Sequence, residues 1–503
     1  MNKFSKKGFG SNQVREEETP NNSGRSLEYK IDEGDNYLFK EIQVDDISTL
    51  TRPETVWYDD SDMMVYRAAS MVEEKRIKVT HKEDTNITFD CKNITEFKGR
   101  GKNVGANTVL GLYNVDRELT NKDPYTPEDF TIEPYQIIIG GDEDKAFETA
   151  KIQILRTLKE TRIQYGLNKI IPMIGEGVCF RESLDQVKPY KGNRSETLRP
   201  LLLKRLRTWM VEELNAVDTK DLRHNGMGLE CDDNIEIKAN EGVLHYLKYG
   251  WYNIGVISKD KDSTNSAKLL INNDRINGKL KFPKAMHIKT TDKCAGDVAL
   301  ISKGEGKSKD FKFYGFKGLL YQAFLGIDSA DHYSALKHLG KGFDFGDVAA
   351  YKVLKPCKTS KESLQACIDV FSDLLPNGVQ YEDHKGIEHD VDTMTYMNTY
   401  FLTAYMIRKL NDPMDFYKLC EVFKVDTSKI VGNNKLTPPV KTFVGDEDHI
   451  KDLKSLIKDI LENNVKGLKS KKKSDQAPMI DQIKEKLESI NFDSHYEMVQ
   501  KEK

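Results

Sequence analysis

An α/β fold with a mostly parallel sheet, covered by helices on both faces, follows from three observations. Short apolar runs recur at Val56-Trp57-Tyr58, Ile170 to Ile174 and Ile254 to Ile257. Amphipathic stretches of helical length lie between them, and strands alternating with helices at this spacing form parallel sheets. Each run is followed by a carboxylate, Asp60, Glu176 or Asp260. Open α/β sheets bind ligands outside the carboxyl ends of their strands, so the same runs predict a site.

Taken in order, residues 1 to about 35 are rich in Lys, Glu, Asn and Ser, and lack the apolar periodicity of a packed element. The strand at Val56 runs into Asp60-Ser61-Asp62 and then a helical stretch from Met63 through Val72. Residues 76–145 alternate like strands and hairpins, with Gly- and Asn-rich turns at 100–107. A helix over about 144–165 leads into the Ile170 strand, and one over about 233–248 into the Ile254 strand. From Gly318 onward the apolar pattern is helical nearly to the end. Gly432-Asn433-Asn434 with Pro438-Pro439 predicts a linker, so 432–503 reads as a linker and short-helix tail with helices near 447–463 and 478–491. Those two helices are either a solvated extension or a docking tail for a partner.

Composition narrows the function classes. A net charge of −3 over 503 residues means that any nucleic-acid surface must be a local basic patch. No apolar run is long enough to span a bilayer, and the N-terminus lacks the apolar stretch of a signal peptide. The seven cysteines are scattered without a C-x-x-C pair, which argues against a disulfide framework or zinc site and for a reducing cytoplasm.

Four acidic clusters carry the chemistry: Asp60-Ser61-Asp62, Glu230-Cys231-Asp232-Asp233, Asp260-Lys261-Asp262 and Asp328-Ser329-Ala330-Asp331. Crowded carboxylates raise one another's pKa unless a cation offsets them. Several oxygen ligands suit hard divalent ions, and two such ions stabilise both the attacking and the leaving oxygen of phosphodiester hydrolysis. Glu230, Asp232 and Asp233 open a helix, whose positive end favours them. Between the first two clusters, Lys188 to Arg207 carries seven basic residues against the single acid Glu196. There Lys191 and Arg194 can neutralise a phosphate and its developing charge. Downstream, the turn at Gly340-Lys341-Gly342 can offer backbone N–H groups to a phosphate. Gly304-Glu305-Gly306-Lys307-Ser308 lacks the first glycine of a phosphate loop, since position 301 is Ile, so an NTPase is rejected.

The order of these pieces resembles the flap-endonuclease superfamily of 5′ nucleases, most closely the 5′→3′ exonucleases of T-odd and related phages. The matching residues are Asp60-Ser61-Asp62 with Tyr66-Arg67, Gly175-Glu176 with Phe180-Arg181, and Tyr190-Lys191-Gly192-Asn193-Arg194. They continue with Glu230-Cys231-Asp232-Asp233, Asp260-Lys261-Asp262, and Tyr321-Gln322 leading to Asp328 and Asp331. The match runs from about 54 to 420, with Glu176 where the family usually has Asp and Cys231 where it has a small residue.

The resemblance implies a PIN-like nuclease core over 36–315, including the 76–145 insertion and a helical arch over about 188–225. A helix-three-turn-helix and helical region over 316–431 would then grip duplex DNA. It implies two Mg²⁺ or Mn²⁺ ions, one on Asp60, Glu176, Glu230 and Asp232, the other on Asp233, Asp260, Asp262, Asp328 and Asp331. K⁺ at the downstream hairpin is a further cofactor in relatives. Lys191 and Arg194 match residues contacting the scissile phosphate, Tyr190 matches the same motif, and Gly340, Lys341 and Gly342 fall in the duplex-binding turn. The implied activity is 5′→3′ exonuclease or flap endonuclease, with RNase H action on RNA primers, in phage DNA replication inside the host cytoplasm. The alternatives are a non-catalytic DNA-structure-binding relative, which would be expected to have lost carboxylates, and a PIN-type ribonuclease, which lacks the downstream Asp-x-x-Asp.

Overall fold

The computed structural model describes residues 38–175, 179–192, 198–220, 222–276, 279–290, 293–302, 309–326, 334–339 and 345–430, with short paired strands at Lys441–Phe443 and Tyr496–Met498. The expected N-terminal tail and linker, and the helices near 447–463 and 478–491, lie outside the described residues.

The chain opens with β1 (Thr51–Asp60) and α1 (Asp62–Ser70). An insertion follows, made of β2 (Glu73–His81), β3 (Thr88–Cys91), α2 (Ile94–Lys98), α3 (Val109–Leu119) and β4 (Phe130–Ile138). Then come α4 (Glu143–Tyr165), β5 (Lys169–Ile174), α5 (Leu203–Leu214), β6 (Val217–Asp218), β7 (Arg223–His224), β8 (Met227–Gly228) and α6 (Cys231–Tyr249). The sheet is completed by β9 (Tyr252–Ile257), β10 (Lys268–Ile271) and, after the pair β11 (Arg275–Ile276) and β12 (Lys279–Leu280), β13 (Met286–Ile288).

These strands form a six-stranded sheet in the order β13-β10-β9-β1-β5-β6, parallel except for β13. From β1 the chain adds β5 and β6 on one side, then crosses through α6 to add β9 and β10 on the other. The order therefore reverses between β1 and β9, which opens a crevice at their carboxyl ends. Alternation along the strands divides the core. Met173, Val256 and Leu270 pack with Ile235 and Ala239 of α6. Ile174 joins residues of α1, α4 and α5, including Val65, Ile154, Leu206 and Met210. Trp57 is buried opposite Gly255, where a Cβ would come within 2.5 Å of its ring, so a glycine makes room for the indole.

The insertion pairs β2 with both β3 and β4 and has its own small core of Val79, Cys91, Phe97, Leu110 and Phe130. It is less purely strand than the alternation predicts. Asn93 accepts from the Glu96 N–H (3.0 Å) and Thr108 from the Gly111 N–H (3.2 Å), and these side-chain caps start α2 and α3.

Beyond the sheet, β14 (Asp297–Ser302) and β15 (Lys309–Tyr314) form an antiparallel pair. Next come α7 (Phe316–Leu320), a π-helical turn at Tyr321–Leu325, α8 (Ala335–His338), α9 (Asp347–Leu354) and α10 (Ser360–Leu374). Strands β16 (Val379–Glu382) and β17 (Glu388–Val391), α11 (Thr393–Ala404) and α12 (Phe416–Phe423) complete this part. Its core includes Phe324, Phe371, Tyr396, Tyr400, Phe401 and Phe416. The hairpin β16–β17 corrects the expectation of uninterrupted helix after Gly318. Gly378, in the left-handed region at φ 93°, and Gly386, at 79°, supply its turns. No helix among the described residues is long and apolar enough to cross a membrane.

Candidate metal centre

The site starts where β1 ends. Asp60 is the last strand residue and Asp62 the first of α1, with Ser61 alone between them. Ser61 is buried, donates its N–H to Met173 O (3.0 Å) and its hydroxyl to Asp59 Oδ1 (2.5 Å). Asp59 is thereby held inside. Burial pushes its pKa up, partly offset by the Ser61 bond and the Lys259 charge. Asp62 accepts from Gly175 N–H (3.2 Å) and from Arg207 Nη2 (2.8 Å). A Cβ on Gly175 would lie 2.8 Å from Cys231 N and 2.9 Å from Thr219 Oγ1. That glycine lets the end of β5 approach the start of α6, beside the acidic turn of β1.

The carboxyl groups of Asp60 and Asp232 lie close enough to act on each other. Burial, then the charges of Asp62, Asp59 and Asp260, push Asp60 up to about 7. Burial, then Asp60 and Asp260, push Asp232 well above the ordinary carboxylate range. Asp62 is raised by burial against the opposing pull of Arg207 and Lys191. Asp260, exposed, donates its N–H to Ser258 Oγ (3.2 Å), whose hydroxyl in turn donates to Asp60 Oδ2 (3.3 Å). Cys231 Sγ lies with oxygens of Asp60 and Asp62 within 4.8 Å, but burial pushes the thiol far up, so it keeps its proton. What remains is a set of hard oxygen donors whose mutual repulsion a divalent cation relieves, so these residues fit such an ion.

The other expected residues are engaged differently. Tyr190, buried, donates to Glu230 Oε2 (2.7 Å) and Lys191 Nζ to Oε1 (2.6 Å). Burial alone would raise Glu230, but Lys191 and Arg181 reverse this and bring it down to about 2. Lys191 itself sits at φ 53°, a left-handed conformation that costs a non-glycine residue roughly 1–2 kcal/mol. The Glu230 ion pair and the Gly192 N–H to Pro189 O bond (3.1 Å) hold it there.

Asp233 is fully buried, and its two oxygens take both Nη atoms of Arg181 at 2.7 Å; Ile407 N–H adds a third donor at 3.1 Å. Its lone pairs thus face protein donors, although an oxygen of Asp233 also lies within 4.8 Å of Cys179 Sγ and an oxygen of Glu230. Asp262 likewise is buried and accepts from Gln322 Nε2, which is itself bonded to Asn265. Glu176, Arg194, Asp328, Asp331, Gly340, Lys341 and Gly342 lie outside the described residues.

The basic stretch is dispersed by folding. Leu206, Trp209 and Met210 of α5 are buried against α1 and α4, Arg205 pairs with Asp144 (2.8 Å), and Arg207 turns to Asp62. Sequence reasoning missed Asp59, Lys259 and the clamp role of Arg181. A guanidinium inside the apolar run Val178-Cys179-Phe180-Arg181 was the available signal, since a charge there needs a buried partner. No family model matches the chain, and no curated protein and no solved structure matches it.

Proposed function

We propose that this chain is a divalent-metal-dependent 5′ nuclease of the flap-endonuclease type, with a PIN-like core, acting on DNA or RNA 5′ strands in phage replication. The observation that carries the reading is the crowding of Asp60, Asp62, Asp232 and Asp260 at the point where the strand order reverses. Asp60, Asp62, Asp232 and Asp260 would hold a pair of Mg²⁺ or Mn²⁺ ions, with Glu176, Asp328 and Asp331 as further ligands by resemblance. Bound there, such ions activate water and offset charge on the attacking and leaving oxygens.

The chain's own groups do the positioning. Lys191 is close enough for its charge to act on both Asp62 and Asp232. Its ammonium is anchored by Glu230, so it faces a scissile phosphate without first being ordered. Arg207 fixes the orientation of Asp62. Asp233 is assigned to the fold rather than to the ions.

The test is cleavage of a 5′-labelled flap, a nicked duplex and an RNA–DNA hybrid, in Mg²⁺ or EDTA. Wild type should cut in Mg²⁺ alone. Asp232→Asn should cut about 100-fold more slowly or worse, the several kcal/mol that metal-held charge supplies, while binding the flap in EDTA within a few-fold of wild type. Near-normal turnover in that variant would sink the metal assignment. Flap binding with no cleavage by wild type in Mg²⁺, nor with Mn²⁺ in its place, would instead identify a non-catalytic relative.

A further inference from the structure

We propose that the cavity between α1 and α4, beside the acidic crevice but distinct from it, is a binding site for a phosphate monoester. Two helix faces build it. Met64, Arg67 and Ala68 of α1, with Met71 at its C-cap, follow the i, i+3, i+4, i+7 pattern, and so do Thr157, Glu160, Thr161 and Gln164 of α4. The cavity measures about 190 Å³, and one of ~150 Å³ already holds a benzene ring. A phosphate with part of its ester group therefore has room.

The lining is suited to an anion with an organic body. Arg67, Lys259 and Arg275 reach it, against the single carboxylate Glu160. Arg67 is paired with Asp274 (3.3 Å) and Arg275 with Glu160 (3.2 Å), both on partly exposed side chains that can re-aim. Lys259, half-buried, makes no hydrogen bond or ion pair among the described residues. Its ammonium feels the charges of Asp59, Asp274 and Asp60 without a hydrogen bond to any of them, and a phosphate in the cavity would supply a direct partner. Asn273 gives the second, independent sign. It is 8% exposed, its Nδ2 donates to Thr161 Oγ1 (2.8 Å), and its Oδ1 is buried with no partner. An orphaned acceptor beside three cations matches a ligand that carries donors, such as sugar hydroxyls or base N–H groups, next to its phosphate. Met64, Met71 and Leu280 offer the apolar side.

The ligand class stands on this lining alone; only a link to the 5′ end of a strand rests on the nuclease reading. The experiment is performed on the full chain in EDTA, so that cleavage plays no part and failure of the nuclease reading leaves it untouched. Calorimetric titration with inorganic phosphate and with a deoxynucleoside 5′-monophosphate reads the free ligand. Competition between 5′-phosphorylated and 5′-hydroxyl oligonucleotides reads the strand end.

Lys259→Met and Arg275→Ala, each checked for wild-type thermal unfolding, should weaken phosphate-dependent binding about tenfold, the scale of one charge-assisted hydrogen bond. If Lys259→Met fails to fold, the exposed Arg67→Ala takes its place. Binding of the mononucleotide with that loss supports a free ligand. A 5′-phosphate preference that the variants abolish supports a strand end. Absence of phosphate-dependent binding in both arms, or binding unchanged in the variants, overturns the proposal.

Discussion

Arg181 is the residue on which the site's surroundings turn. It is wholly buried and bonds both oxygens of Asp233, the Thr403 carbonyl (3.0 Å) and the Tyr405 carbonyl (2.7 Å). It thus ties the first turn of α6 to the end of α11. Breaking a buried pair leaves an uncompensated charge, so Arg181→Met or Asp233→Leu should lower stability by about 3–5 kcal/mol in urea unfolding. The double variant Arg181→Met/Asp233→Leu should recover part of that loss; simple addition of the two losses would show that the pair is not the source.

His287 makes a second residue-scale prediction. It packs edge-on against Tyr246 (5.1 Å) and Tyr252 (5.5 Å), and burial, then the Lys289 charge, push it down to about 4. Its pKa is lower folded than unfolded, so the unfolded chain binds more protons between the two values. Its contribution is present above about pH 6.5 and is lost as pH falls toward 4. His287→Phe should flatten that part of the curve of unfolding midpoint against pH.

At the scale of elements, the long periodic segments were legible and the short capped ones were not. The helix expected over 144–165 is α4 at Glu143–Tyr165, and the strands at Ile170 and Ile254 are β5 and β9. Each buries a continuous apolar face, which sequence period reports directly. Helices α2 and α3 depend instead on one cap each, and β16–β17 on two glycines, signals too local for apolar period to register. The close approach of β1 and β9 was equally hidden, since it shows only when Trp57 is set opposite Gly255. Gly255→Ala should cost about 1–3 kcal/mol by overpacking, measured by thermal unfolding. A neutral effect would mean that the indole can move aside.

For the whole molecule, the crevice couples protons to stability, and on the proposed reading it couples metal to both. Asp60 is raised above its unfolded value, so the metal-free fold binds more protons than the unfolded chain between about pH 4 and 7. This contribution is complete at low pH and is lost as pH rises through about 7. Metal-free protein should therefore be destabilised through that window by the crevice, opposite in sign to the effect of His287. Mg²⁺ should raise the melting temperature at pH 8, by the equivalent of about 2.7 kcal/mol at a hundred times its dissociation constant. At pH 5 the gain should shrink, because Asp60 and Asp232 must first release their protons. Asp60→Asn should raise the metal-free melting temperature at pH 8 and remove most of the Mg²⁺ response. An equal Mg²⁺ response in that variant would place the ion elsewhere.

The sequence by itself determined the layered α/β class, the order of the strands that carry acids, and the placing of Asp60 and Asp260 at strand ends. Those follow from periodicity and from strand-end position, both of which are local. Tertiary structure alone decided which acids stay together. Asp60, Asp62, Asp232 and Asp260 share one crevice, whereas Asp233 belongs to Arg181 and Asp262 to Gln322. Residues adjacent in the chain point to different faces of a helix turn, and the partner that each one meets is set by distant segments folded against it.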